Sequence, residues 1–380
     1  MLFDRLGPGE RLALEELRRD RDFYGILRPR EGAAGLGIKS VDRETALLFL
    51  TLRDPGPLPS YVRQVLGEAA APAMTRLVAD GVLEVEAGGD LVSGAAAVAS
   101  FHQGGGELGN SRLARLSIEA LRYGQALAFD DPLLLSFRLY SYNRRPLTPR
   151  WQQLLGSAEA VREHLGIGRG GPNRKILDRV WEGRPPSEAW LSWRARAAEP
   201  LSSREGVTWK LYVSPEPEAL AGSFGEILEA LAAARTPQFK IGADASGLLR
   251  PDKIVAYFPS FERLAGAAEA IASRLGGIPA QGVPFTSEIR SESRSEIGGE
   301  GLLSWGADPP ADDPHRSRGG GESWRLWLTH RLAQALLGAW ASGSGSMEPW
   351  RFALERLRLE GVDTETWTPG ALLWREGEGR

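Results

Sequence analysis

The chain has 380 residues, 42% of them hydrophobic and 25% charged, and its 46 Lys and Arg nearly balance 49 Asp and Glu. That length calls for two or three domains, each able to bury its own core, and the slight negative charge gives no global attraction to nucleic acid or an anionic membrane. There is no Cys and only 4 His, which excludes disulfides, thiol catalysis and Cys-ligated zinc. His102, His164, His315 and His330 are too scattered to form a sequence-local metal cluster, so no metal and no other cofactor is expected. The charged stretch Met1 to Arg21 does not read as a signal peptide, and no apolar run spans a bilayer, so a cytoplasmic protein without a membrane partner is expected.

Phe23 to Leu27 and Leu36 to Val41 read as a short strand pair, followed by Asp42 capping a helix through Ala46-Leu47-Leu48-Phe49-Leu50. Pro55, Pro57 and Pro59 end it. Tyr61 to Gly67 and Ala70 to Asp80 predict two more helices, and Val82 to Val85, Gly88-Gly89 and Leu91-Val92 predict a terminal hairpin. Strands, three helices and a wing make a winged-helix-like module over residues 1–98. DNA binding requires several cations on the last helix, and this one offers mainly Arg76, so no nucleic-acid partner is expected. Peptide docking fits better; a purely structural accessory domain is the alternative. The region resembles in pattern the peptide-recognition element of enzymes that modify ribosomally made peptides, in which a leader peptide adds as a strand to the small sheet.

Residues 95–109, Ala-rich and then Gly104-Gly105-Gly106, read as a linker. A helical middle region over 110–200 follows, with helices expected at Asn110–Phe129, Pro132–Tyr142, Trp151–His164, Asn173–Trp181 and Ser187–Ala197. Its second half is Arg-rich, which reads either as a basic surface or, by preference, as solvated helix faces. Gly166-Ile167-Gly168-Arg169-Gly170-Gly171 has no preceding strand and no following Gly-Lys-Ser/Thr, so it reads as a loop and not a phosphate cradle.

Residues 205–342 change character. Trp209, Leu211 and Val213 alternate with Lys210 and Tyr212, Pro215 opens a long helix to Ala234, and Gln238 to Ala243 and Lys253 to Phe258 give two further strands. Ser260 caps another helix, and Gln281 to Phe285 is expected to be the fourth strand. The protein is thus expected to be α+β, with a C-terminal β-α-β-β-α-β sheet carrying helices on one face. The other face collects Lys210, Tyr212, Lys240, Lys253 and Tyr257, cations and hydroxyls without a carboxylate, which suits a dianionic ligand; an ordinary solvated sheet face is the alternative. Arg250 enters the third strand. Thr286 follows the fourth. Residues 287–322, which include Arg290, Arg294, His315, Arg316 and Arg318, read as a lid or as disorder. A helix starts at Ser323-Trp324-Arg325, and 347–380 is a C-terminal helix and tail.

Lys210-Leu211-Tyr212-Val213, Phe239-Lys240, Arg250-Pro251-Asp252, Val255-Ala256-Tyr257, Pro284-Phe285-Thr286, Asp308-Pro309 and Ser323-Trp324-Arg325 resemble, in order, the Hop-A type III effector family. Its bacterial relatives include lyase partners of class V lanthipeptide and thioamitide pathways. The resemblance implies elimination of phosphate from phosphoserine or phosphothreonine of a precursor peptide, leaving a dehydroamino acid. It implies Lys240 as base, its pKa lowered by Lys210 and Lys253, and Lys210, Arg250 and Arg325 at the phosphate. Tyr212, Tyr257 or His315 would donate to the developing charge. The chain carries no kinase signature, so a separate kinase and the leader–core precursor peptide are the expected partners. Two other readings stand beside this one: a non-catalytic peptide-binding scaffold that partners a kinase or other modifying enzyme, and a winged-helix regulator with a ligand-sensing domain.

Overall fold

The computed structural model describes residues 15, 18–19, 21–27, 39–101, 109–127, 129–185, 187, 189–196, 207–291, 294–297, 301–309, 322–341, 347–370 and 373. The chain forms two compact units, Met1–Gln103 with Leu337–Phe352, and Gly104–Leu336 with Ala353–Arg380. Among the described residues no helix is long and apolar enough to cross a membrane.

In the first unit β1 (Phe23–Leu27) pairs antiparallel with β2 (Lys39–Asp42). Asp42 then accepts the Thr45 backbone N–H at 2.7 Å and so caps α1 (Arg43–Thr51). Next come α2 (Ser60–Leu66) and α3 (Ala70–Ala79). A hairpin of β3 (Val85–Ala87) and β4 (Asp90–Val92) turns on Gly88 and Gly89, both at positive φ. The expected linker is in part a helix, α4 (Gly94–Phe101), whose Ala95, Ala97 and Val98 are buried. Its alanines are strong helix formers, and their small side chains allow close packing.

The second unit opens with α5 (Arg112–Ala126), α6 (Pro132–Tyr140), α7 (Pro149–Leu155), α8 (Ala158–His164) and α9 (Pro172–Val180). The single helix expected over Trp151–His164 is two, because the chain breaks at Gly156 and Ser157 caps the second. The glycine-rich stretch is a loop, closed by the Asn173 side chain on the Leu165 carbonyl at 2.7 Å.

Then the sheet begins, with β5 (Trp181–Gly183), β6 (Trp190–Ala195), β7 (Thr208–Val213), α10 (Pro217–Ala233), β8 (Gln238–Gly242), α11 (Ala245–Leu248) and β9 (Ile254–Phe258). After α12 (Phe261–Ala272) come β10 (Ser287–Ser291), β11 (Arg294–Ile297) and β12 (Leu303–Asp308), and the described chain continues with α13 (Trp324–Ala341), α14 (Pro349–Leu359) and a small pair of β13 (Val362–Asp363) with β14 (Thr368–Pro369). The eight strands β5 to β12 form one antiparallel sheet in the order β11-β10-β12-β7-β9-β8-β6-β5.

Four expectations are corrected here. Ser187–Ala197 is not helical. Trp190–Ala195 is β6, in which Leu191 and Trp193 pack into the core while Trp190, Ser192 and Arg194 alternate to the other side. Gln281–Phe285 is not the fourth strand: Pro284 lacks an N–H, Phe285 has φ 61°, and only Ala280 bridges to Pro215. The strand beside β7 is β12, so much of the stretch read as a lid or disorder is sheet, while 310–321 lies outside the described residues. Finally, helices do not keep to one face. Leu220, Phe224, Ile227 and Leu231 of α10 and Leu264 and Ile271 of α12 pack on Leu211, Val213, Phe239, Ile241, Ile254, Ala256 and Phe258; each fully buried side chain of that size contributes ~1.5–3 kcal/mol. On the opposite face Gly306 of β12 lies against the Trp324 indole at the start of α13.

Candidate active site

Strand register puts the polar residues together. Lys210 pairs with Tyr257 across β7–β9, and Tyr212 with Val255. Gln238 and Lys240 of β8 pair with Tyr257 and Val255 from the other side, and Ser192 of β6 pairs with Lys240. Because side chains alternate, all of these share the face turned away from α10 and α12. The Lys240 Nζ lies 4.1 Å from the centre of the Trp190 indole and 5.7 Å from that of the Tyr257 ring, and the Lys210 Nζ is 5.5 Å from the same Tyr257 ring.

Lys240 has no ion-pair partner among the described residues. Its pKa is pushed down to about 8, first by burial and then by the charge of Lys210, with Arg250 adding to the effect. The expected repulsion from Lys210 is present; Arg250, not Lys253, supplies the further cation.

The face is not free of carboxylates, contrary to expectation. Asp308 forms an ion pair with Lys210, and its other oxygen accepts the Trp324 backbone N–H at 2.9 Å. Asp252 is the hub of a second cluster. It accepts two bonds from Arg250, Nε to Oδ1 at 2.8 Å and Nη2 to Oδ2 at 2.7 Å, one from Arg325 Nη1 at 2.8 Å and one from the Tyr140 hydroxyl at 3.1 Å. Burial works against the Asp252 charge, but the two guanidinium groups outweigh it and hold the carboxyl well below the usual range. Burial also works against Arg250, and Asp252 again outweighs it and holds the guanidinium charged. These carboxylates are there because low-polarity surroundings do not tolerate several unpaired cations.

The predicted site residues therefore separate. Lys210, Lys240, Tyr257 and Arg250 come together around the Trp190 and Tyr257 rings. Arg250 keeps its Nη1 without a partner among the described residues, since Nε and Nη2 carry its bonds. Arg325 does not offer itself to a ligand. It is fully buried and spends its donors on the Pro284 carbonyl, Asp252 and the Tyr140 carbonyl. Lys253 also points inward, to the Pro215 carbonyl and Gln281 Oε1, with its pKa pushed down to about 7 by burial. Thr286 is buried and donates to the Val283 carbonyl at 2.6 Å. Tyr212 packs with Val255 and Val283, and burial raises its hydroxyl well above the ordinary value. Burial raises Tyr257 as well, so both phenols remain protonated donors at neutral pH. His315 lies outside the described residues.

Trp190, Tyr140, Asp252 and Asp308 belong to this site and were not assigned roles from the sequence. A carboxylate two residues beyond Arg250 was a legible signal for Asp252. Trp190 was hidden by the helical reading of its segment, and Tyr140 by its place on a distant helix.

The first unit holds a separate pocket of about 270 Å³ among α1, α2 and α3. Leu48, Val62, Val65, Met74 and Leu77 line it, with Thr45 on its wall. The buried Tyr61 hydroxyl, also at the pocket, has no hydrogen-bond partner among the described residues.

No protein-family model matches the chain, and no curated protein matches it. Several solved structures are similar to it. An effector protein from Pseudomonas syringae pv. syringae strain 61 is 14% identical, covers 70% of this chain and 100% of its own, and has a TM-score of 0.41. One from Pseudomonas syringae pv. tomato strain DC3000 is 12% identical over 67% of this chain and 96% of its own, with a TM-score of 0.39. The Chromobacterium violaceum VirA (SpvC) phosphothreonine lyase effector protein is 14% identical over 40% of this chain and 77% of its own, with a TM-score of 0.25.

Proposed function

We propose that the second unit is a lyase that eliminates phosphate from phosphoserine or phosphothreonine in a precursor peptide, giving dehydroalanine or dehydrobutyrine. The observation that carries this reading is Lys240: an amine lowered to about 8, without a carboxylate partner, beside Lys210 and the unused edge of Arg250. A neutral fraction of Lys240 takes the Cα proton. The electron pair of that C–H bond forms the Cα=Cβ double bond, the Cβ–O bond breaks, and its electrons leave with the phosphate. Lys210 and Arg250 attract the departing dianion, and the Tyr257 hydroxyl donates a hydrogen bond to it. Asp252 and Arg325 act behind Arg250, keeping its fork in place.

In the same reading a separate kinase supplies the phosphorylated peptide in the cytoplasm, as in the peptide-modifying pathways that the motifs resemble. The first unit, taken as a winged-helix-like recognition module, binds the leader, for which its apolar pocket offers a seat.

Incubating the purified protein with a synthetic phosphorylated precursor peptide and following its mass tests this. The expected result is loss of phosphoric acid, abolished in Lys240→Ala. Binding of the peptide with the phosphate retained supports the scaffold reading instead.

A further inference from the structure

We infer that Trp190 is the positioning residue of this site: its indole holds the Lys240 amine and the Arg250 guanidinium against one aromatic surface and keeps water from the amine. The consequence for turnover rests on the elimination reading; the geometry does not.

The indole centre is 4.1 Å from the Lys240 Nζ and 5.0 Å from the Arg250 Cζ. Among the described aromatic rings it alone touches both. Tyr257 contacts Lys240 and Lys210, and Tyr140 contacts Arg250 and Arg325. Two like charges close together separate unless something between or beneath them is attractive, and the negative face of an indole attracts each.

Strand pairing explains how the ring reaches Lys240. Across β6–β8, Trp190 pairs with Gly242 and Ser192 with Lys240, so Trp190 and Lys240 are diagonal neighbours. The residue directly opposite Trp190 has no side chain, and a Cβ there would collide with the Gly247 backbone. With the space over Gly242 filled by that backbone, the ring lies toward Lys240 instead. Its backbone is fixed too: Trp190 N–H donates to the Ser187 hydroxyl at 3.1 Å, and its carbonyl accepts the Ser187 N–H at 3.1 Å.

The charged and titratable groups around Lys240 are Lys210 of β7, Tyr257 of β9, Arg250 and Asp252 ahead of β9, and Asp308 at the end of β12. Of these only Tyr257 also brings an aromatic ring, and at 5.7 Å it lies farther from the amine than the indole at 4.1 Å. Removal of the ring loses an attraction for the ammonium, but burial is the largest influence on the amine, so the water admitted favours the protonated form on balance.

The chain has five lysines, Lys39, Lys175, Lys210, Lys240 and Lys253, which makes a direct titration practical. Reductive methylation with ¹³C-formaldehyde labels them, Lys240→Arg assigns the Lys240 signal, and NMR follows its shift with pH. The wild-type midpoint is expected at about 8. Trp190→Ala is expected to raise it by ~1 unit or more, and Trp190→Phe, which keeps an aromatic face, to leave it nearly in place. In the elimination assay the acidic limb of kcat/KM should move by the same amount, so that kcat/KM at pH 7 falls about tenfold in Trp190→Ala. Should Trp190→Ala not fold, Trp190→Gln, shorter and polar, is expected to give the same upward shift. An unmoved Lys240 midpoint in a folded Ala or Gln variant overturns the inference. Absence of phosphate loss in the wild type overturns the elimination reading alone, since the methyl titration still decides the role of Trp190.

Discussion

Lys240 carries a folding consequence opposite to that of most charged groups. Its folded pKa of about 8 lies below the ordinary lysine value near ~10.4, so between these values the unfolded chain binds more protons than the folded one. Stability therefore rises with pH across that window, and below it the folded protein bears a charge its surroundings disfavour. Lys240→Met is expected to stabilise the fold at pH 7 by about 3 kcal/mol, with the gain vanishing near pH 11; urea denaturation across pH measures it. Asp252 behaves in the reverse sense. Its depressed pKa contributes stability that is full above the ordinary carboxylate value and lost only as pH falls through the folded one. Asp252→Asn removes the anion from two guanidinium groups, one of them fully buried. It should cost about 3–5 kcal/mol, a deficit that thermal or urea unfolding should find constant between pH 5 and 8.

Strand β12 and the start of α13 set the wall of the site. Trp324 is buried, stacks on Trp327 at 5.2 Å and lies over Gly306, where an added Cβ would meet the indole Cδ1 at 2.9 Å. The indole has no space to retreat into. Gly306→Ala is expected to destabilise the protein by about 1–3 kcal/mol, seen as a lower Tm with altered near-ultraviolet circular dichroism from the Trp pair. Asp308 links the same elements, since one carboxylate serves both the Lys210 ammonium and the first N–H of α13. Its position at the end of β12 is what places helix and cation together. Strand β6 does the corresponding work at the other side of the sheet, because it delivers Trp190 beside Lys240.

In the reading proposed above the second unit does the chemistry and the first recognises the peptide, and a pocket in the first unit makes that division testable. Val65 is 55% exposed and lines the pocket of the first unit. If that pocket receives the leader, Val65→Glu should weaken binding of the full precursor about tenfold through lost apolar contact and added charge. Turnover of a short, leaderless phosphopeptide should be unchanged. Fluorescence anisotropy with labelled precursor, paired with the mass assay on the short peptide, separates these effects.

Alternation along β7, β8 and β9 was legible in the chain, as were the helices α10 and α12 that cover their apolar side, because a period of two is a local property. For the same reason Lys210, Lys240 and Tyr257 could be placed on one face before any coordinates. The partners of those residues were not local. Trp190 precedes Lys240 by a helix and two strands, Asp308 meets Lys210 through strand pairing across nearly 100 residues, and Tyr140 reaches Asp252 from a helix. Which cations are neutralised, which keep a free edge and which amine is dried by an aromatic ring are decided by packing between distant segments, where burial and pairing set the energy of each charge. Local alternation thus located the face, and only the tertiary structure separated Lys240 and Arg250, at its surface, from Arg325 and Lys253, which hold the fold together.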